Sequence, residues 1–281
     1  MNQNSNTKTK PIFRWAGGKR WLIRHIRQLE LPRYNNYHEP FFGGGSVFFH
    51  LNPKNVSFLS DINQELIIAY KEIKRNPTRL LAEVNSFKIC REEYDKIRKI
   101  NGGNQIGRAT RFMYLNKHSY NGVYRVNRNG EYNVPYGKRK LINPYYDLNE
   151  LKLVKRSLKY SVLQVRDFFD SLDNVKKHDL VFLDPPYTVT HTKNGFIGYN
   201  EKIFSWNDQE RLSKYVKAVK QKKAFYILTN AKHHSISNLF SNFDKPITLS
   251  RYSSIGGHNA KRGRFQEYIF SNLDLGGLNG N

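Results

Sequence analysis

Apolar residues recur along the chain with two different periods, and these periods predict helices and strands in turn. Residues 207–222 have the spacing of a helix, with one apolar face formed by Leu212, Tyr215, Val216 and Val219. Asn207, with Glu210 three residues later, is expected to open this helix as a capping box. Short apolar runs at 180–183 and 224–228 are typical of buried strands in a parallel sheet. Strand, helix and strand are therefore predicted in that order.

The same alternation occurs nearer the N-terminus. Residues 56–59 predict a strand, and 62–74 predict a helix with Leu66, Tyr70 and Ile73 on one face. The segment 101–140 differs, because it is rich in Arg, Lys, Asn, Gly and Tyr around one helical stretch near 106–115. The pattern favours an α/β sheet domain built from both ends of the chain and interrupted by a basic, mainly helical insertion.

The charge of the chain indicates its kind of partner. Its 281 residues suffice for one domain with an insertion or for two modest domains. Lys and Arg number 47 against 23 Asp and Glu, a formal charge of +24, which favours a polyanion. An anionic membrane surface and solubility alone are the alternatives, but no apolar run approaches the roughly 20 residues of a membrane span. Nucleic acid is the favoured partner.

Cysteine usage and the N-terminus bear on compartment and metal content. Cys90 is the single cysteine, so no internal disulfide forms, and no spaced Cys/His cluster predicts a metal site. The first ten residues, MNQNSNTKTK, lack the apolar core of a signal peptide. We expect a cytoplasmic protein with a disordered leader at 1–10 and no metal.

One motif carries the sharpest chemical signal. Asp184, Pro185, Pro186 and Tyr187 come directly after the apolar run 180–183, and ligands of open α/β sheets gather at the carboxyl ends of strands. The amine of adenine is a poor nucleophile because its lone pair is delocalised into the ring. If the Asp184 carboxylate and the Pro185 carbonyl accept its hydrogens, the lone pair is directed at a methyl donor. The alternative is an ordinary Asp-Pro-Pro turn after a strand.

Three further motifs precede it. Residues 39–46, EPFFGGGS, form a glycine-rich turn that a nucleotide-like cofactor can approach closely. Asp61 lies 16 residues after Gly45, a spacing that suits a carboxylate holding ribose hydroxyls, although it also suits a helix cap. Trp15 and Lys19 flank a glycine turn, where they are candidates for the methionine part of a cofactor and for its carboxylate.

These four motifs, in this order, resemble those of the Dam-like family of adenine-amino DNA methyltransferases (D12 class, alpha group), close to its GATC-specific members. The resemblance covers about residues 11 to 270. It implies an α/β fold with a Rossmann-like sheet that depends on S-adenosylmethionine, and an inserted, mainly helical DNA-recognition domain containing a β-hairpin. It also implies a catalytic domain at 11–68 and 141–281 and a target-recognition domain at 69–140.

The resemblance further implies roles for individual residues. The catalytic residues are Asp184, Pro185, Pro186 and Tyr187, with Tyr187 stacking on the flipped base. The residues expected to contact or border S-adenosylmethionine are Trp15, Lys19, Phe41, Gly43, Gly45, Asp61, Asp167, Phe168 and Asp184. Asp167 and Phe168 are expected to hold the adenine of the cofactor, although Asp167 is also suited to begin a helix over 168–172.

Residues 116–140 resemble the hairpin that GATC-modifying members place on double-stranded DNA. The residues expected to contact DNA are Arg14, Tyr120, Asn121, Val123, Arg125, Asn127, Pro135, Lys261, Arg262 and Arg264. Arg125 is the candidate for a bidentate contact to guanine, and Lys261, Arg262 and Arg264 belong to a predicted phosphate-binding loop. Phosphate contact or packing within the hairpin is the alternative for each hairpin residue.

The predicted reaction is transfer of a methyl group from S-adenosylmethionine to the N6 of adenine in duplex DNA, with GATC as the expected site. The rivals are an RNA or protein-glutamine methyltransferase and a DNA-binding protein that has lost catalysis. The setting of Cys90 does not match the Pro-Cys nucleophile that cytosine ring-carbon methylation requires. A partner restriction endonuclease that acts independently is left open.

Overall fold

The computed structural model describes residues 9–127, 130–137, 146–188, 204–252 and 264–275, and for Arg251, Tyr252 and Arg264 it describes the backbone alone. Its strands are β1 (Tyr37–Glu39), β2 (Ser57–Asp61), β3 (Ser161–Val165), β4 (Leu180–Leu183), β5 (Phe225–Ala231), β6 (Ile247–Tyr252) and β7 (Arg264–Ser271). Its α-helices are α1 (Ile23–Ile26), α2 (Ser46–Leu51), α3 (Gln64–Arg75), α4 (Pro77–Asn85), α5 (Arg91–Lys99), α6 (Gln105–His118), α7 (Leu148–Ser157), α8 (Trp206–Gln221) and α9 (His234–Phe240). Short 3-10 helices occupy Lys19–Trp21, Tyr120–Gly122 and Phe169–Asn174.

The seven strands form a sheet in the order β3-β2-β1-β4-β5-β7-β6. β1, β4 and β5 are parallel neighbours, and β7 runs antiparallel to both β5 and β6. Because parallel strands end at the same edge, the residues that follow β1 and β4 leave the sheet on one side. The motifs at 39–46 and 184–187 begin there. The predicted α/β class with a methyltransferase-type sheet is confirmed.

Most predicted elements are present, with small shifts at their ends. The run at 180–183 is β4, and the predicted helix at 207–222 is α8. The predicted cap of α8 is wrong, because Ser205 and Asp208 form the capping box in place of Asn207 and Glu210. Ser205 has the extended backbone that a cap requires, and its hydroxyl accepts the N–H of Asp208.

Helix α3 is capped two residues beyond Asp61. The side chain of Asn63 accepts the N–H of Leu66, so the alternative that Asp61 caps this helix is wrong. Pro77 begins α4 at its first turn, where a missing N–H costs nothing, and Asn76 caps it. The predicted boundary between residues 68 and 69 falls inside α3, and the domain division at 69–140 stays a prediction.

The chain divides into two compact units. The first comprises Met1–Lys19, Phe42–Lys54 and Leu59–Val165, and the second comprises Arg20–Phe41, Asn55–Phe58 and Arg166–Asn281. In the second unit, the apolar face of α8 packs in a buried cluster with side chains of β4, β5 and β7, among them Val181, Leu183, Leu228 and Phe270. This burial gives the ends of β4 and β5 a rigid base.

The N-terminal segment contacts the rest of the first unit at residue 9. The hydroxyl of Thr9 lies 2.9 Å from that of Ser157, so residue 9 of the predicted leader contacts α7, while residues 1–8 lie outside the described residues. Among the helices that the structure describes, none is long and apolar enough to cross a membrane. Within the described ranges, no group of three or more His, Cys, Asp or Glu side chains is placed to hold a metal ion.

Candidate active site

The residues 184–187 leave the carboxyl end of β4 and are anchored in the second unit. Asp184 is half-buried, and its Oδ1 accepts the hydroxyl of Thr229 at 2.7 Å. Thr229 is fully buried on β5. The carboxylate is therefore held against the sheet by a neighbouring parallel strand, at the point where the sequence predicted an orienting acceptor.

Tyr187 is held through its hydroxyl. The phenol donates to Oε2 of Glu267 at 2.5 Å, and Glu267, on β7, is 2% exposed. Burial, followed by the negative charges of Glu267 and Asp184, keeps the pKa of Tyr187 well above its usual value. Tyr187 therefore remains a protonated phenol that donates to a carboxylate.

A second set of buried polar side chains holds Thr188. Its hydroxyl accepts from Nε2 of Gln209 at 3.1 Å, and Oε1 of Gln209 accepts from Nδ2 of Asn230 at 2.9 Å. All three side chains are buried, at no more than 4% exposure. Fully hydrogen-bonded buried networks fix one arrangement, so the segment 184–188 is tied to α8 and β5 as well as to β7.

An aromatic cluster lies near the end of β1 in the second unit. Phe41 and Phe168 stack at 5.1 Å between ring centroids and 26° between planes, and Phe204 packs edge-on against Phe41 at 5.7 Å. Asp167 accepts the N–H of Phe169 at 2.9 Å, as the first residue of a helical turn does. A flat apolar surface thus stands next to a carboxylate.

Arg211 of α8 completes this cluster, and the sequence analysis missed it. Its guanidinium forms an ion pair with Asp167 at 2.6 Å and with Asp208 at 2.9 Å, and it lies 4.9 Å from the ring centroid of Phe168. The hydrogen bond to Asp167, above all, raises the pKa of Arg211. Asp167 is therefore held in place by an arginine, which leaves it with little freedom to turn.

The glycine turn belongs to the first unit. Gly43 has φ +47 and lies so close to Trp15 that an added Cβ would be 2.7 Å from Cδ1 of the indole. Asp61 accepts the N–H of Gly43 with Oδ2 and that of Asn63 with Oδ1, both at 2.8 Å. Burial raises the pKa of Asp61 to about 6, against the effect of these backbone bonds. The carboxylate thus fixes the turn.

Lys19 and Gly45 have more enclosed positions than the sequence suggested. Lys19 is 4% exposed, and its Nζ donates to the carbonyl of Gly17 at 3.2 Å. Gly45, with φ +65, directly precedes α2 and packs against the rings of Phe42 and Phe49. Both residues therefore shape the turn structure of the first unit.

The predicted hairpin is present in an irregular form. Isolated antiparallel bridges join Ser119 to Tyr136 and Val126 to Tyr132, and the N–H of Tyr120 donates to the carbonyl of Pro135 at 2.9 Å. Arg125 is exposed, and its Nε donates to Oδ1 of Asn133 at 2.8 Å across the hairpin. The guanidinium is thus held at an exposed surface.

The other residues predicted to contact DNA differ in exposure, and some of them make contacts within the hairpin. Tyr120 is 53% exposed, whereas Val123 is half-buried. Asn121 is exposed and has a left-handed backbone, with φ 56. Asn127 accepts the N–H of Glu131 with Oδ1 and donates to its carboxylate with Nδ2, so it shapes the turn. Among the described hairpin residues, Tyr120, Asn121, Arg125 and Pro135 are therefore the predicted DNA contacts that are exposed.

Arg14 and Trp15 contact the base of the hairpin within the first unit. Asn116 accepts the N–H of Arg14 at 3.0 Å and donates to its carbonyl at 2.8 Å, and the side chain of Arg14 lies against Gly122. Trp15 stacks on Tyr124 at 6.0 Å between centroids and 24° between planes. Since Trp15 also contacts Gly43, one indole joins the hairpin and the glycine turn, a contact that the sequence analysis did not foresee.

Comparison with known proteins decides the family. The model of the D12 class N6 adenine-specific DNA methyltransferase family matches residues 15–253. The chain belongs to this family. The D12 model thus covers the glycine turn, Asp61, the hairpin and residues 184–187, and the resemblance drawn from the motifs is confirmed.

Named relatives of this D12 methyltransferase align over most of their lengths. The Type II methyltransferase M1.LlaDCHI of Lactococcus lactis subsp. cremoris is 32% identical over 96% of this chain and 98% of its own. The Type II methyltransferase M.MjaIII of Methanocaldococcus jannaschii is 32% identical over 94% and 99%. The DNA adenine methylase of Salmonella typhi is 29% identical over 90% and 88%.

Some residues predicted for this D12 methyltransferase cannot be placed. Lys261 and Arg262 lie outside the described residues, and Arg264 is described only as the first backbone position of β7, opposite Tyr252. The sequence analysis missed Thr229, Glu267, Gln209 and Arg211. A signal for Thr229 did exist, because it interrupts the apolar run of β5 at the end that faces the motif.

Proposed function

We propose that this adenine-specific DNA methyltransferase transfers a methyl group from S-adenosylmethionine to the exocyclic N6 of a flipped adenine in double-stranded DNA, at GATC. The observation that supports the proposal best is Asp184, whose carboxylate stands at the carboxyl end of β4 with its Oδ1 held by Thr229 at 2.7 Å. The test is to expose unmethylated DNA to the purified protein and to locate modified bases at single-nucleotide resolution. Methylation at bases other than adenine would contradict the proposal.

The residues at 184–187 are suited to directing an amine. A carboxylate oxygen and a backbone carbonyl can each accept one N–H of adenine, which turns the nitrogen lone pair out of the ring plane. The Thr229 hydroxyl fixes the orientation of the carboxylate before the base arrives, so little reorganisation is needed during transfer. Pro185 and Pro186 stiffen the turn, and Tyr187 offers a ring on which the base stacks.

Each of the two units contains side chains of a kind that suits one part of S-adenosylmethionine. The stacked Phe41 and Phe168 beside Asp167 suit an adenine ring with an exocyclic amine, and Asp61 beside the glycine turn suits ribose hydroxyls. Trp15 and Lys19 are assigned to the methionine portion, Trp15 by its aromatic surface and Lys19 by its charge. When bound, S-adenosylmethionine supplies an electrophilic sulfonium methyl group. No covalent enzyme intermediate is needed, so the lone cysteine has no part in the reaction; the thiol of Cys90 caps helix α5.

Cofactor affinity is expected to depend on the charge of Asp61. Its pKa of about 6 means that the carboxylate is protonated below that pH. Protonation weakens its hydrogen bonds with the N–H of Gly43 and with ribose hydroxyls. We expect the affinity for S-adenosylmethionine to fall by up to about tenfold per pH unit below 6, as the loss of one charge dictates. Calorimetric titration of the wild type and of Asp61→Asn between pH 5 and 8 measures this, and the variant should be weak and pH-independent.

The stability of the folded protein is expected to change with pH in the opposite direction to the cofactor affinity. The folded-state pKa of Asp61 is raised, so between the ordinary carboxyl value and 6 the folded protein holds a proton that the unfolded chain has lost. The contribution of Asp61 to the free energy of unfolding therefore decreases as pH rises through this window. An equally steep pH dependence of cofactor binding in Asp61→Asn would assign the titration to another group.

Sequence choice is assigned to the hairpin, with Arg125 as the test residue. A bidentate arginine-guanine pair is worth about 1 to 3 kcal/mol of discrimination. Arg125→Ala should therefore relax the preference at one base pair of GATC by roughly 5- to 150-fold while lowering general DNA affinity less. Methylation of GATC and of its single-base variants, by wild type and mutant, is the measurement.

Asn133→Ala is the matched variant for this experiment. It removes the acceptor at 2.8 Å that holds Arg125 and keeps the guanidinium itself, so its preference should be weakened less than that of Arg125→Ala. If Arg125→Ala loses activity on all sites alike, Arg125 contacts phosphate or supports the hairpin. If the wild type modifies another adenine site, GATC is wrong and the chemistry is unaffected.

We also propose that methylation by this enzyme protects DNA from cleavage by a restriction endonuclease. Two relatives carry Type II methyltransferase names, which support it. Such an endonuclease would act on the same site independently, so the methyltransferase needs no contact with it.

A further inference from the structure

Glu267 is a carboxylate on the buried face of β7, where the alternation of side chains along the strand predicts an apolar residue. Along β7, Glu267 and Ile269 point to the same face of the sheet, and both are buried, at 2% and 1% exposure. Burying a carboxylate is unfavourable unless hydrogen bonds replace the water that it loses. One such bond comes from the phenol of Tyr187, at 2.5 Å. The buried charge at this position is thus linked directly to residues 184–187.

The same face of the sheet also carries Thr229. β5 and β7 are antiparallel, with Ala231 opposite Glu267 and Thr229 opposite Ile269. Residues that lie opposite each other in an antiparallel pair point to the same face, so Thr229 and Glu267 project from one face on adjacent strands. Thr229 donates to Asp184, and Glu267 accepts from Tyr187. The two ends of the motif are therefore each held by one polar side chain of the sheet.

We propose that Glu267 is a positioning residue that fixes the ring of Tyr187 for stacking on the flipped adenine. The inference rests on the proposed function, in which Tyr187 is the stacking surface. A hydrogen bond to a carboxylate is shorter and stronger than one between neutral groups. Because it anchors the phenol oxygen, it restrains rotation about the Cα–Cβ bond of Tyr187. A phenolic O–H also prefers to lie in the plane of its ring, so the same bond favours one orientation of the ring face. A ring that is already fixed loses little further freedom when the base stacks on it.

Three variants of the full chain test this inference. Glu267→Gln keeps the shape and an acceptor oxygen but removes the charge, Tyr187→Phe keeps the ring but removes the donor, and the third combines both. Each single variant should lower the single-turnover rate of methyl transfer by about tenfold, the weight of one hydrogen bond to a charged group, with the affinity for S-adenosylmethionine unchanged. The double variant should lose no more than the larger of the two single losses, because all three variants act on the same hydrogen bond.

A second substrate separates positioning from loss of structure. The duplex carries the site found by modified-base sequencing, with the target adenine either paired or opposite a mismatched base. A mismatched base is flipped at lower cost, so weaker stacking matters less. The rate of Glu267→Gln should therefore approach the wild-type rate on the mismatched duplex. Glu72→Gln is the matched control, since Glu72 is a glutamate of α3 with 3% exposure, and its rate should equal that of the wild type on both duplexes.

Several outcomes would overturn the inference: a wild-type rate for Glu267→Gln, additive losses in the double variant, or an equal loss on both duplexes. If Glu267→Gln does not fold, Tyr187→Phe alone tests the inference. A wild-type rate of methyl transfer for Tyr187→Phe would overturn it. Asp184→Ala separates this inference from the proposed function. Transfer that survives in Asp184→Ala removes the mechanism, whereas transfer lost in Asp184→Ala and intact in Glu267→Gln removes only the role of Glu267.

Discussion

Replacing Asp184 with alanine is expected to lower methyl transfer by a factor on the order of 10³ and to leave most of the fold intact. In the proposed mechanism, the change removes the acceptor that orients the amine while the nitrogen attacks the methyl group. It also removes the 2.7 Å acceptor of the buried Thr229 hydroxyl and leaves it the carbonyl of Leu183 at 3.4 Å, so the loss of stability should be about 1 kcal/mol. Incorporation of tritium from labelled S-adenosylmethionine measures the rate, and calorimetry measures the binding of cofactor and DNA.

Asp170→Ala is the control for this substitution. Asp170 lies in the same unit, in the 3-10 helix that follows Phe168, but it is exposed. Its loss should leave both transfer and stability close to the wild-type values. Near-normal transfer in Asp184→Ala would end the mechanism proposed for this family member.

Gly43→Ala is expected to reduce cofactor binding and stability together. At φ +47 an alanine is strained by about 1 to 2 kcal/mol, and its Cβ would stand 2.7 Å from the indole of Trp15. With the displacement of Trp15 added, we expect a loss of about 2 to 5 kcal/mol in the free energy of unfolding. The turn would also shift away from Asp61, so the affinity for S-adenosylmethionine should fall by at least about tenfold, the equivalent of one lost hydrogen bond.

Gly102→Ala separates backbone strain from the collision with Trp15. Gly102 also has a left-handed backbone, at φ +79, but no atom lies within 4 Å of the added Cβ. This variant should lose only the backbone strain, about 1 to 2 kcal/mol, and bind the cofactor normally. Equal effects of the two substitutions, measured by denaturant unfolding and calorimetry, would show that Trp15 does not constrain the turn.

Periodicity was enough to predict the elements that carry the motif, but not their buried partners. The apolar run at 180–183 and the stripe on α8 are local patterns, and both are present in the structure. Glu267 lies 80 residues after Tyr187 and Thr229 lies 45 after Asp184, and no local pattern links residues so far apart. Their pairing depends on the antiparallel insertion of β7 beside β5, which the prediction of a parallel sheet did not include.

Charged and aromatic residues were the hardest to interpret from sequence. Arg211 reads as a solvent-facing residue of an amphipathic helix, yet its guanidinium joins Asp167, Asp208 and the ring of Phe168. Tyr124 reads as part of a DNA-reading hairpin, yet it stacks on Trp15. In both cases the side chain is long enough to reach a neighbour that sequence spacing does not indicate.

The way the hairpin is closed bears on how new sequence preferences arise. Its base is secured by backbone hydrogen bonds, from Tyr120 to Pro135 and from Gly137 to His118. The second of these requires glycine, because a Cβ at position 137 would stand 2.8 Å from the carbonyl oxygen of Ser119. In its distal half Tyr132 is buried, whereas Arg125 and Glu131 are exposed. The exposed residues there can be exchanged without altering the closure of the hairpin, while Asp184 and Tyr187 depend on β5 and β7. If sequence choice lies in the hairpin, as proposed, exchanging these exposed residues should alter specificity and leave the chemistry at residues 184–187 unchanged.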